Sequence, residues 1–188
     1  MRAMETALKL VDQTRLNDDL AASTASYRTA QPFPHIVLDD VLHPEAFAAA
    51  VRDFPGIKDE FWKGYLHVNE TKYCNVHPDT WADSLQAIAQ EFCSPEVVSY
   101  LEQLTGIENL IPDYTMDGGG LHQTLRGGHL NIHADFTTHH EREDWARRVN
   151  ILLYLNEDWS DEWGGKLELW DQQMRSRQAT VTPAGNRM

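Results

Sequence analysis

The chain has 188 residues, 41% of them hydrophobic and 10% aromatic, enough to bury the core of a single globular domain. A formal net charge of -13 would repel nucleic-acid phosphates rather than neutralise them, and no apolar run reaches the roughly 20 residues that span a bilayer, so neither partner is expected. Cys74 and Cys93 stand apart without a CxxC pair, which excludes a zinc-ribbon or disulfide framework; with no uninterrupted apolar leader, a reduced, cytoplasmic setting is expected.

Met4, Ala7, Leu8, Val11, Leu16 and Leu20 predict an amphipathic helix broken near Asn17-Asp18-Asp19. Pro32 and Pro34 mark an extended entry into a strand at 35–38. An alanine-rich helix follows, bracketed by Pro44 at its start and Pro55-Gly56 beyond its end. Residues 61–68 read as a strand. Trp81, Leu85, Ile88, Ala89 and Phe92 have helical spacing, and Ser94-Pro95-Glu96 forms an N-cap, N1 and acidic first turn for a helix ending before Gly106. The run Asp117-Gly118-Gly119-Gly120 matches neither phosphate-binding glycine pattern and precedes an apparent strand, so it reads as a loop.

Residues 127–136 alternate as a strand does. His129, Asn131, His133 and Asp135 share one face, and Leu130, Ile132, Ala134 and Phe136 the other. An imidazole and a carboxylate two residues apart supply two of the three ligands of a two-His-one-carboxylate facial triad, which leaves open positions on a non-haem Fe(II). Alone, an HxD pair is more often an ordinary piece of polar loop. His139 and His140, in TTHHEREDW, read as solvated histidines of a surface loop; His129 shares the polar face but sits about 13 Å from His133 along a strand. Residues 147–171 then predict a long buried strand, a polar turn at Gly164-Gly165 and a second strand, a hairpin beside the HxD strand. Trp145, Trp159, Trp163 and Trp170 in this region more often brace turns or close a core than line a substrate mouth.

Through HADF, YLNEDW, GGKLELW and TPAGNR, and through PFPHIVLDDVLHPEAFAAAVRDFP upstream, the chain resembles the 2-oxoglutarate and Fe(II)-dependent oxygenases of the prolyl 4-hydroxylase-like branch. The resemblance implies an α+β, mainly β fold: a double-stranded β-helix (a jelly roll, cupin-like) with N-terminal helices packed on the sheet. Residues 1–116 would supply the helices and supporting strands, and 117–188 an incomplete β-helix core, within one domain. It also implies His133 and Asp135 as metal ligands on the second barrel strand. Tyr154 would be a phenol hydrogen-bonded to the cosubstrate carboxylate, and Gln123 a polar neighbour of the cosubstrate. The implied cofactors are Fe(II), 2-oxoglutarate and O2, with ascorbate as a possible addition.

Relatives carry a distal His and then an Arg or Lys beyond the NR segment, and neither precedes Met188. The expectation is a C-terminally truncated copy with the last barrel strands missing. The third ligand and the basic partner of 2-oxoglutarate therefore stay open. Two functions follow: hydroxylation of an unactivated C–H bond in a prolyl residue, amino acid or small metabolite, or a non-catalytic β-helix module whose HxD is a relic and which binds a small-molecule or peptidyl partner. Nothing in the sequence sets the oligomeric state.

Overall fold

A computed structural model describes residues 9–57 and 60–188; Met4, Ala7 and Leu8 of the expected first helix lie outside them. Asp12 accepts the Arg15 amide and starts α1 (Gln13–Asp18), and the chain breaks at Asp19 before α2 (Leu20–Thr29), where the Asn-Asp-Asp stretch predicts it. The Ala, Ser and Thr of α2 make no apolar stripe, so its helicity is not announced by period. α3 (Pro44–Asp53) has proline at its first position. α4 (Asp83–Phe92) leaves Trp81 outside, where its indole donates to Asn75 Oδ1 at 2.9 Å. α5 (Pro95–Thr105) is capped by Ser94, whose hydroxyl accepts the Val97 amide at 3.3 Å, and ends on Gly106 at φ 73.

These helices pack chiefly on one another, α2 on α5, α3 on α4 and α4 on α5. Ala50, Leu85, Ile88, Tyr100, Leu101 and Leu104 make the buried centre. Each apolar side chain closed off there contributes about 1.5–3 kcal/mol. Ile151, Leu153 and Leu155 pack against this centre, which turns Asn150, Leu152 and Tyr154 the other way in an extended segment.

The β structure is antiparallel throughout, giving an α+β fold. β1 (Lys63–His67) and β2 (Glu70–Asn75) form a hairpin. On the other edge of β2, β3 (Leu121–Gln123) pairs with residues 73–75, and β4 (His129–Leu130) pairs with Glu70 and Thr71. β5 (Leu167–Trp170) and β6 (Arg177–Val181) make a separate two-stranded sheet. Their turn is gathered by Asp171, whose carboxylate accepts the amides of Gln173, Arg175 and Ser176.

Three expectations need correcting. Helical residues outnumber strand residues among those described, so the fold is not mainly β. The HxD strand is paired only at His129 and Leu130, with Asn131 adding one bond to Asn69 O at 2.8 Å, and 132–136 has no ladder. The segment after Arg147 does not form a hairpin with β5; β5 pairs forward with β6, and Tyr154 bridges to Arg187 instead. The last two share a cause: alternation specifies which way side chains face, but a ladder also needs a neighbour at bonding distance. The segment 35–38 is likewise no regular strand, although Leu38 and Met188 exchange both backbone bonds, at 2.9 and 2.8 Å.

The last residues clasp the early ones. Asn186, buried, accepts the Leu42 amide at 2.7 Å and donates to the Leu42 carbonyl at 2.9 Å. Beside it the Arg187 guanidinium grips both oxygens of Asp39. Glu91 of α4 takes the amides of Leu10 and Val11 at 2.8 and 3.0 Å, fastening the opposite side of the same region.

Candidate functional site

His133 and Asp135 converge. Nε2 of the imidazole lies 3.3 Å from Oδ1 of the carboxylate, with side chains 49% and 45% exposed. The other ring nitrogen, Nδ1, is 2.8 Å from the carbonyl of Asn131. A carbonyl only accepts, so Nδ1 carries the proton of the neutral ring and Nε2 presents its lone pair toward Asp135. Two electron-rich atoms at that separation repel unless a proton or a cation lies between them. The pair therefore has the donor chemistry of two metal ligands, an imidazole Nε2 with its second nitrogen fixed by an outer acceptor and one carboxylate oxygen. Among the described residues no third His, Cys, Asp or Glu completes a metal-holding group. His129 is exposed and its ring contacts Val68 O at 3.4 Å.

A short loop folds back to brace the pair. Arg147 N–H donates to Thr137 O at 2.8 Å, His139 N–H to Trp145 O at 3.1 Å, and Thr138 bridges Ala146, so 137–147 runs out and returns. Its return places the Arg147 guanidinium 4.4 Å over the Phe136 ring. Phe136 also meets Gly118, where φ is 68 and a Cβ would enter the ring. Asn150 then donates to Asp135 Oδ2 at 3.0 Å, with Arg147 3.7 Å from the same oxygen. Neither Asn150 nor Arg147 stands out as a site residue in the sequence; the one available signal is that Asn150 shares an alternating face with Tyr154.

The loop histidines are not both solvated. His139 is only 9% exposed, with Nε2 3.5 Å from Asp113 and Nδ1 3.6 Å from Asp117, and its Nδ1 accepts the Glu141 amide at 3.1 Å. His140 is exposed, yet Asp117 takes both its amide and its ring nitrogen at 2.8 Å. The polar composition of TTHHEREDW hides this, because the partners come from the 113–117 turn. Burial raises both carboxyls, but hydrogen bonds outweigh it. The Thr115 hydroxyl and amide and the Asp117 amide bring Asp113 below its ordinary value, and the amide and ring of His140 do the same for Asp117. These two histidines are thus engaged structurally and do not reach the His133–Asp135 pair.

Gln123 ends β3 opposite Tyr73, and its Oε1 is buried without a hydrogen-bond partner. Tyr154 exchanges backbone bonds with the C-terminal segment, accepting from Asn186 at 2.9 Å and donating to Arg187 O at 2.8 Å. Burial pushes its phenol up, against a smaller opposing pull from Arg187, so the group stays an O–H donor at neutral pH. No hydrogen bond among the described residues joins Gln123 or Tyr154 to His133 or Asp135. Arg187 is not a free cation for an anionic ligand, since Asp39 holds it bidentately and Thr182 O takes a further bond at 3.0 Å. Trp159 braces its turn, donating to Gly164 O at 3.2 Å and standing edge-on to Trp163.

Residues 119–188, which carry Gln123, His133, Asp135 and Tyr154, match the family model of the 2OG-Fe(II) oxygenase superfamily. That match supports an oxygenase-type function and, with it, Fe(II), 2-oxoglutarate and O2 as cofactors. No curated protein matches the chain.

Proposed function

We propose that the chain is an Fe(II)- and 2-oxoglutarate-dependent dioxygenase of the prolyl 4-hydroxylase-like branch, a single domain whose 117–188 portion follows the double-stranded β-helix plan. Its substrate would be a prolyl residue, an amino acid or a small metabolite. One observation carries the reading: His133 Nε2 and Asp135 Oδ1 meet at 3.3 Å within the segment that matches the superfamily.

The chemistry supplied by Fe(II), 2-oxoglutarate and O2 when bound is oxidative hydroxylation of an unactivated C–H bond, coupled to decarboxylation of the 2-oxo acid. His133 and Asp135 would hold the metal, with Nδ1 of His133 tied to Asn131 O so that the ring keeps the ligand tautomer. Tyr154, kept protonated by burial, would donate its O–H to a carboxylate of the 2-oxo acid. Gln123 would turn its orphaned amide to the same ligand; an unmet buried acceptor costs about 1–3 kcal/mol, and a half-turn of the amide offers a donor in its place. Phe136 would give the Arg147 guanidinium its seat beside Asp135, the ring lying against Gly118 where no side chain blocks it.

The absence of a third donor among the described residues favours a second reading, a binding module that retains the pair without turnover. Anaerobic titration with Fe(II) and 2-oxoglutarate separates the two. The oxygenase reading expects a visible charge-transfer band that His133→Ala and Asp135→Ala abolish. A featureless spectrum at saturating ligand favours the module.

A further inference from the structure

The two oxygens of Asp135 have different neighbours. Oδ1 faces His133 Nε2 at 3.3 Å, whereas Oδ2 accepts the side-chain N–H of Asn150 at 3.0 Å. The amide of Asn150 has no freedom to reverse, because its Oδ1 accepts from Arg147 Nη2 at 3.2 Å. A half-turn would set carbonyl oxygen against carboxylate and N–H against guanidinium, replacing two attractions by two repulsions. Arg147 is itself fixed by its backbone bond to Thr137 and its seat on Phe136. Order therefore passes from the loop's return, through Arg147, to the amide and on to one carboxylate oxygen.

We infer that Asn150 is the positioning residue of Asp135, occupying Oδ2 so that Oδ1 alone is presented to a metal ion beside His133. This rests on the proposed role of the pair as metal ligands. Its consequence is coordinative: a carboxylate that closes on the metal through both oxygens fills an extra position, and one held by Asn150 leaves that position open for a chelating ligand. The residue acts through Asp135 and does not itself touch the metal.

The test is Co(II) titration of the full chain under anaerobic conditions, followed by visible absorption, with far-UV circular dichroism and the urea midpoint recorded for each variant. Asn150→Asp is the informative substitution, being isosteric and retaining the contact with Arg147 while turning a donor into a second carboxylate facing Asp135. Asn150→Ala removes the group altogether and, at an exposed position, leaves the core alone. Wild-type binding is expected to depend on His133 and Asp135. Both Asn150 variants are expected to weaken it about 10- to 100-fold and to shift the Co(II) bands, with circular dichroism and urea midpoint unchanged. Asn150→Gln, which restores the donor on a longer arm, should recover part of the loss. Wild-type affinity and bands in both Asn150→Asp and Asn150→Ala would overturn the positioning role and leave the oxygenase reading standing. Failure of the wild-type chain to bind Co(II) through His133 and Asp135 would overturn that reading and this inference together.

Discussion

Asn186 sits at φ 57 with its side chain buried, and its amide gives Leu42 both the acceptor and the donor that a strand neighbour would. Asn is one of the few residues with a side chain that tolerates this left-handed conformation. Asn186→Ala leaves a buried N–H and a buried carbonyl unmet, so a loss of about 2–4 kcal/mol is expected, read from the urea midpoint. Asn186→Asp keeps the acceptor but sets a buried carboxylate oxygen against the Leu42 carbonyl, so it should lose at least as much at neutral pH. Gly118 makes a different demand, for space. A Cβ there enters the Phe136 ring at a positive φ, so Gly118→Ala should cost about 1–3 kcal/mol, read from the urea midpoint. Unchanged stability in Gly118→Ala would mean that Phe136 swings aside freely.

At the scale of elements, the 113–117 turn and the 137–147 loop are held together by acid–imidazole contacts, and these set a pH dependence. The folded-state values of Asp113 and Asp117 lie below the ordinary carboxyl value of about 3.9. Their contribution is thus present above that value and lost as pH falls through the folded ones. Loosening of the loop below about pH 4 is expected, measured by hydrogen exchange of its amides and by Trp145 fluorescence. Asp113→Asn with Asp117→Asn should flatten that acid limb; a limb unaltered by the pair would place the acid lability elsewhere. The same loop marks a boundary of what sequence reveals. α3 and α5 are legible because their signals are local, a proline at N1, a serine cap, a terminal glycine. The HxD spacing is legible as a shared direction for His133 and Asp135. What stays hidden is long-range: His139 looks solvated until Asp113 and Asp117 arrive from more than twenty residues away, and Asn150 reveals its task only once the loop returns it to Asp135. Residues 132–136 and the segment around Leu152 alternate convincingly, yet alternation carries no information about which strand, if any, will lie alongside.

Across the whole molecule, the stretch 38–43 is a seam. On one side it meets the N-terminal residues, with Asp12 N–H donating to Val41 O and His43 N–H to Leu10 O, both at 2.8 Å. On the other it meets Asn186, Arg187 and Met188. Val41 and Leu42 are almost wholly buried between the two. The helical layer and the oxygenase-like segment are thus fastened through a few paired backbone groups as well as through apolar packing.

That seam also orders events while the polypeptide is being made. Leu42 and Asn186 are separated by 144 positions. A ribosome adding roughly 5–20 residues per second therefore delivers the partner about 7–30 s after Leu42 itself. The helices and residues 10–12 can close over one side of Val41 and Leu42 during that interval, but the other side stays uncovered until Asn186 has been made. Nascent-chain capture by chaperones, and any co-translational aggregation, should accordingly concentrate on this stretch and subside once Asn186 has left the exit tunnel.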